Sequence, residues 1–251
     1  MNYLHPNNER KKGLWSLWQE AFEDSDDFLE HFWRTGFLPE HCLCAEENGT
    51  VCGALYWLDG SVADRRIAYL YAVATRKSHR GRGICRALME RTLEILKEQG
   101  YCGAILCPEN DGLFTMYRKM RFCNTLTIRE FSALPEGEPV LLRSLTADAY
   151  ARLRRAYLPA GGVVQEGKSL AFLEGFASFY AGEGFLLAAR KEKDSLFAME
   201  LLGDAAYAPG ILTALKVQDG CFRSPGDDKP FALYAPLDDG PVSDYFGLAF
   251  D

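Results

Sequence analysis

The run Arg80-Gly81-Arg82-Gly83, followed at once by Ile84-Cys85, sets two guanidinium groups and two glycines at the start of a helical pattern. A helix N-terminus exposes backbone N–H groups that have no partner inside the helix, and the macrodipole adds partial positive charge there. Glycine lets that backbone approach a ligand, and arginine adds formal charge that a bare turn lacks. Together they suit the capture of a diphosphate anion. A second cluster lies downstream: Asn110, then Tyr117 within Met116-Tyr117-Arg118-Lys119-Met120-Arg121-Phe122. A phenol, with a reference pKa of about 10, can serve as a general acid.

The flanking elements must hold these residues in place. Residues 67–74 are rich in β-formers, 75–83 are polar and glycine-bearing, and 84–99 are apolar at helical spacing. On a helical wheel Ile84, Cys85, Leu88, Met89, Thr92, Ile95 and Leu96 fall within an arc of roughly 140°, so this helix must pack one face on a sheet. Gly100 supplies the stop. A buried strand is predicted over 102–107, a short helix over 111–120 and a closing strand over 122–131. Upstream, Leu14, Leu17, Trp18 and Ala21 recur at helical spacing, and Ser25 or Asp26 can cap a second helix carrying Phe28, Leu29, Phe32 and Trp33. Residues 42–46 and 51–58 flank Asn48-Gly49, both of whose positions tolerate positive φ, which predicts an antiparallel hairpin. The result is a mixed α/β unit.

With the motifs set on these elements, Arg80-x-x-Gly83-x-Cys85 resembles the Arg/Gln-x-x-Gly-x-Gly/Ala motif of the GNAT acetyltransferases, and Asn110, Tyr117 and the tail to Phe122 resemble that family's second signature. The resemblance implies a GNAT acyl-CoA N-acyltransferase fold in the N-terminal half, acetyl-CoA as acyl donor, no metal, and a small-molecule or peptide acceptor whose primary amine attacks directly. It further implies that main-chain groups of Ala72 and Val73 pair with the pantetheine arm. Arg80, Gly81, Arg82, Gly83, Ile84 and Cys85 would hold the pyrophosphate, and the arginine side chains could reach it directly. Asn110 would contact the pantetheine or the helix, and Tyr117 would protonate the departing thiolate.

The sequence departs from the family pattern at two places. Cys85 stands at the last small position of the motif. Arg121 stands where a glycine would accept a left-handed helix end, at a cost of about 1 kcal/mol if positive φ is kept. The strand 67–73 carries no carboxylate to accept the amine's proton, leaving Glu109, Asp59 and Asp64 as candidate bases. A non-catalytic acyl-CoA sensor or interaction protein is therefore the alternative reading. Dinucleotide binding is disfavoured because Arg86 occupies the third glycine position after Gly81-x-Gly83. His79 reads as solvated, and Tyr56, Trp57, Tyr69 and Tyr71 read as strand core.

The turn-rich stretch 133–139 has no core-forming pattern and sets a boundary between domains at 1–134 and 139–251. In the second, a strand over 140–145, helices over 147–158 and 169–180, and a hairpin of 184–190 with 195–201 are expected. Residues 203–210 sit where a phosphate loop would belong but lack the basic-glycine pattern. This half is read as a smaller, degenerate GNAT-like α/β domain that lacks cofactor binding and helps shape the acceptor pocket.

A net charge of -7 over 251 residues argues against nucleic acid as a partner. No apolar run approaches about 18 residues, so a soluble cytoplasmic protein with no membrane partner is expected. The eight cysteines are scattered and read as reduced thiols, with Cys42 and Cys44 on one face of a strand as core rather than zinc ligands. The pattern carries no signal for oligomeric state.

Overall fold

The computed structural model describes residues 1–250, which divide into two compact units of mixed α/β structure. The first comprises Met1–Asp59, Arg65–Cys123 and Leu233–Gly240; the second comprises Gly60–Asp64, Asn124–Ala232 and 241–250. The division therefore falls at Cys123/Asn124, ahead of the 133–139 stretch, and each unit takes a segment from the other half of the chain.

The first unit begins with β1 (Asn2–Leu4), α1 (Lys11–Phe22) and α2 (Asp26–Thr35). Ser25 caps α2 by accepting from the Phe28 amide at 3.2 Å. The expected hairpin follows as β2 (Cys42–Glu47) and β3 (Thr50–Val62), antiparallel, with Asn48 at φ 51° and Gly49 at φ 77° in the turn. Next come β4 (Arg65–Thr75), α3 (Ile84–Glu98), β5 (Gly103–Leu106) and α4 (Asp111–Arg118). β4 pairs in parallel with β5, through Ile67↔Gly103, Ala68↔Ala104 and Tyr69↔Ile105.

The periodicity of α3 is realised: Ile84, Leu88, Met89, Thr92, Leu93 and Leu96 are buried while Arg86, Glu90, Glu94 and Lys97 face outward. Close approach is allowed by Gly53 on β3, where a Cβ would lie 2.9 Å from Ile84 Cγ2 and 3.1 Å from Leu88 Cδ1. The core over which α3 lies also contains Leu55, Trp57, Leu70, Phe114, Tyr117 and Phe122.

The closing strand differs from the sequence expectation. β6 (Asn124–Ala133) belongs to the second unit, and β5 is instead flanked by 233–236 of a late strand, paired antiparallel from Leu233↔Leu106 to Pro236↔Gly103. Leu233 and Ala235 complete the first unit's core from more than a hundred residues away. Local patterning marks a strand without naming its partner, which explains the difference.

The second unit contains β6, β7 (Arg143–Leu145), α5 (Ala147–Tyr157), β8 (Val164–Gln165), α6 (Lys168–Leu173), β9 (Ser178–Gly182), β10 (Phe185–Glu192), β11 (Ser195–Gly203), α7 (Ala208–Leu215) and the greater part of β12 (Asp219–Pro236). The predicted β10–β11 hairpin is present. The helix expected over 169–180 is a correction: it stops at Leu173, and Ser178–Gly182 is a strand paired with both β10 and β7. Two-sided strand pairing outweighs a weak helical pattern there. Phe185, Leu187, Leu201, Ile211, Leu212 and Phe222 form this unit's core.

Candidate active site

The candidate site is built where β4 hands over to α3. Beyond Tyr69 the strand loses β5 as a parallel neighbour but continues to Thr75, so its later main-chain groups are not spent on that ladder. Within this stretch Ala72 adopts φ 49°, a left-handed value that costs a non-glycine residue about 1–2 kcal/mol. Such strain inside a strand interrupts the pleat and points to a functional position. Ala72 and Val73 are both partly exposed.

The loop after β4 is closely tied down. The Arg76 amide donates to the Cys52 carbonyl at 2.8 Å, and the Arg76 guanidinium donates to the Val51 carbonyl at 2.7 Å and to Glu20 at 2.8 Å. Gly81 and Gly83 both stand at φ 76°, and a Cβ on either would meet nothing within 4 Å. Gly83 caps α3 in the left-handed conformation without any side-chain cap. The first bond inside the helix runs from the Ala87 amide to the Gly83 carbonyl at 3.0 Å. The amides from Gly83 to Arg86 therefore remain unspent at the positive end of a 15-residue helix. Open space, left-handed glycines and free amides make a cradle that fits an anion.

The side chains in the loop divide the work. Arg82 donates to both oxygens of Glu47, at 2.8 and 3.0 Å, so its guanidinium is engaged within the protein. The hydrogen bond from Arg82 lowers the pKa of the Glu47 carboxyl from its ordinary value. Arg80 donates only its Nε, to the Thr75 carbonyl at 3.2 Å. Ile84 is buried in the core, and the Cys85 thiol, half-buried in the first turn of α3, is pushed up by burial.

Tyr117 sits on α4, 6% exposed, with its ring edge-on to Phe122 at 6.1 Å between centroids. Burial pushes its phenol well above the ordinary value, and the nearby Cys85 thiol adds to the effect. Its hydroxyl makes no hydrogen bond among the described residues. Asn110 is the N-cap of α4, its side chain accepting from the Leu113 amide at 3.1 Å. Arg121 keeps φ 77°, the left-handed value a glycine would take there.

A family model for the acetyltransferase (GNAT) domain matches residues 4–122, the span that contains all of these groups. Residues 4–122 belong to the GNAT superfamily. The match supports acyl transfer in general as the chemistry of this domain. Solved structures share the fold across nearly the whole chain. A GCN5-related N-acetyltransferase from Kribbella flavida matches at TM-score 0.67 and 16% identity, covering 93% of this chain and 70% of that one. One from Anabaena variabilis matches at TM-score 0.71 and 14% identity, covering 94% and 73%. Eis1 from Mycobacterium abscessus matches at TM-score 0.66 and 13% identity, covering 95% and 74%. No curated protein matches the sequence.

Within this GNAT framework the remaining candidates take plain positions. Asp59 accepts from the Tyr101 hydroxyl at 2.5 Å and from Arg66 at 3.5 Å, Glu109 is exposed, and Asp64 lies in a turn of the second unit at φ 60°. His79 stands 3.7 Å from Glu47. Tyr56, Trp57 and Tyr69 are buried, and Tyr71 packs on Trp18 and Phe32 at 5.7 and 6.0 Å. The eight cysteines are unpaired, with Cys42 and Cys44 fully buried in β2. No helix among the described residues is long and apolar enough to cross a membrane.

Glu20 and Glu47, the two carboxylates that grip the loop, carry almost no signal in the sequence. Each lies more than thirty positions from its arginine. The sole local hint was Glu47's place beside the Asn48-Gly49 turn, which fixes where a hairpin tip points.

Proposed function

We propose that this GNAT chain transfers the acetyl group of acetyl-CoA to a primary amine of a small-molecule or peptide acceptor by direct attack. The observation that carries the reading is the uncapped start of α3 behind two left-handed glycines at the end of β4, which would seat a diphosphate. Main-chain groups at Ala72 and Val73 would take the pantetheine arm. Amides from Gly81 to Cys85 would take the diphosphate, with Arg80 and Arg82 adding charge. Acetyl-CoA brings an activated thioester carbonyl. Tyr117, kept protonated by burial, gives its proton to the departing thiolate. Asn110 serves by starting α4 at the point that places Tyr117.

In the same proposal the second unit is a GNAT-like lobe that binds no coenzyme. Ahead of α7 the Asp204 carboxylate accepts from the Ala206 amide at 2.8 Å, so the turn leading into that helix carries its own negative charge. An incoming phosphate would be repelled there. The protein is proposed to work in the cytoplasm.

One observation favours a second reading, an acyl-CoA sensor without turnover: β4 carries no carboxylate, and Asp59 is engaged by Tyr101 and Arg66. Thiol release from acetyl-CoA in the presence of a panel of amines separates the two. Acceptor-dependent release is expected. Saturable coenzyme binding by calorimetry with no release for any amine would favour the sensor, and no binding of any CoA ester would end both readings.

A further inference from the structure

The loop from Arg76 to Gly83 carries four strongly cationic side chains, those of Arg76, Lys77, Arg80 and Arg82. Two are held by carboxylates of the protein itself. Glu20 on α1 accepts from Arg76 at 2.8 Å and from the Lys77 main-chain amide at 2.7 Å, gripping the loop at its entry. Glu47, the last residue of β2, accepts from both terminal nitrogens of Arg82 and grips the loop at its exit. Arg80, between them, is exposed, and its terminal nitrogens meet no acceptor among the described residues.

Glu47 is well placed to act as a brace. The turn that follows it has Asn48 and Gly49 in left-handed conformations, and Glu47 pairs directly with Thr50 across the hairpin. Its backbone is therefore fixed by two strands, while the segment it grips contains Gly81 and Gly83, the residue type with most freedom to lose. A two-point arginine–carboxylate contact sets direction as well as distance. The contact is partly solvated, with the Arg82 and Glu47 side chains 47% and 30% exposed, so it holds geometry more than it adds stability.

Resting on the acyl-CoA reading above, we propose that Glu47 is a positioning residue: it holds Arg82 so that the Gly81–Gly83 turn presents the amides at the start of α3, and it leaves Arg80 as the guanidinium that meets the diphosphate. Arg82 is then part of the frame and Arg80 part of the ligand site. Preorganisation of this kind acts on binding and leaves the chemical step alone. The lowered pKa of Glu47, chiefly from the Arg82 hydrogen bond, agrees, since it favours the ionised carboxylate that Arg82 requires.

The test is calorimetry with coenzyme A and acetyl-CoA at two salt concentrations, on the full chain and its Arg80→Gln, Glu47→Gln, Arg82→Gln and Glu47→Gln/Arg82→Gln variants, together with KM and kcat for acetyl-CoA. Glu47→Gln is expected to weaken binding about two- to fivefold, to raise KM with kcat kept, and to add nothing in the Arg82→Gln background. Arg80→Gln is expected to weaken binding more than Arg82→Gln does and to flatten the salt dependence. Tighter or unchanged binding by Glu47→Gln, or a salt response lost with Arg82 and kept without Arg80, would overturn the division of labour. A parent chain that binds no CoA ester would instead overturn the acyl-CoA reading itself.

Discussion

Two arginine–carboxylate pairs in this chain share a two-point geometry and differ in almost everything else. Arg82 and Glu47, in the first unit, meet at 2.8 and 3.0 Å with both side chains partly in water. Arg154 and Glu200, in the second, meet at 2.6 and 2.7 Å with side chains 1% and 0% exposed. Glu200 also accepts from the Tyr150 hydroxyl at 2.9 Å and the Tyr245 hydroxyl at 3.0 Å, and Arg154 donates to the Val163 carbonyl at 2.8 Å. Burial opposes the charge on Arg154, yet Glu200 beside it outweighs that penalty and the guanidinium stays ionised. A buried pair of this kind must satisfy every lone pair and proton, so it is closed to any outside ligand. The exposed pair can brace a loop that remains open to one.

The tyrosines repeat the contrast. Tyr150 and Tyr245 are buried with a carboxylate partner; Tyr117 is buried with no partner for its hydroxyl. Burial raises all three phenols. In the second unit the raised hydroxyls serve the fold, whereas in the first a protonated phenol without a partner has its donor available for a reacting atom.

The largest expected effect that would break this comparison is on stability. Glu200→Gln leaves the Arg154 charge buried without its counter-ion and should lower unfolding free energy by about 3–5 kcal/mol in a urea titration. A loss no larger than that of Glu47→Gln would erase the distinction between the pairs. Next is Tyr117→Phe, expected to cut kcat by about a hundredfold while leaving the thermal midpoint in place. An unchanged turnover number would remove Tyr117 as the acid. Because its folded-state pKa is raised, any alkaline fall in kcat due to Tyr117 should lie above the ordinary phenol value of about 10.

Tyr245→Phe should do the reverse of Tyr117→Phe, lowering stability by about 2 kcal/mol through loss of a hydrogen bond to a charged group, with turnover kept where the chain is folded. The same network gives a pH signature. Tyr150 and Tyr245 hold their protons in the folded state, whereas the unfolded chain releases them near pH 10. Their contribution is therefore complete below that pH and declines as pH rises beyond it, a decline Tyr245→Phe should lessen in denaturation measured from about pH 8 to 11. The smallest effect is at Arg121, where φ is 77°. Arg121→Gly should stabilise the chain by up to about 1 kcal/mol by relieving left-handed strain, and a destabilisation would show that the arginine side chain contributes more than the strain removes.

Much of the site was legible because its physics is local. Helical spacing fixed which face of α3 is buried, Asn48-Gly49 fixed the hairpin turn, and two glycines before an amphipathic helix fixed an uncapped helix start with left-handed angles. The left-handed helix end at Arg121 follows from the same short-range rules. What escaped the sequence depends on partners far along the chain. Glu20 and Glu47 look like ordinary surface carboxylates until β-sheet register and the packing of α1 bring them to the loop.

The sequence by itself determined the local conformations and the kind of chemistry they can support, because turns, caps and periodic faces are set by residues within a few positions of one another. Only the tertiary structure decided that 233–236, rather than 124–133, stands beside β5, that Arg82 is held by a carboxylate of the protein, and that Glu200 joins Arg154, Tyr150 and Tyr245 in a sealed network. Those choices rest on long-range pairing, where many strands and charges are locally equivalent and burial alone selects among them.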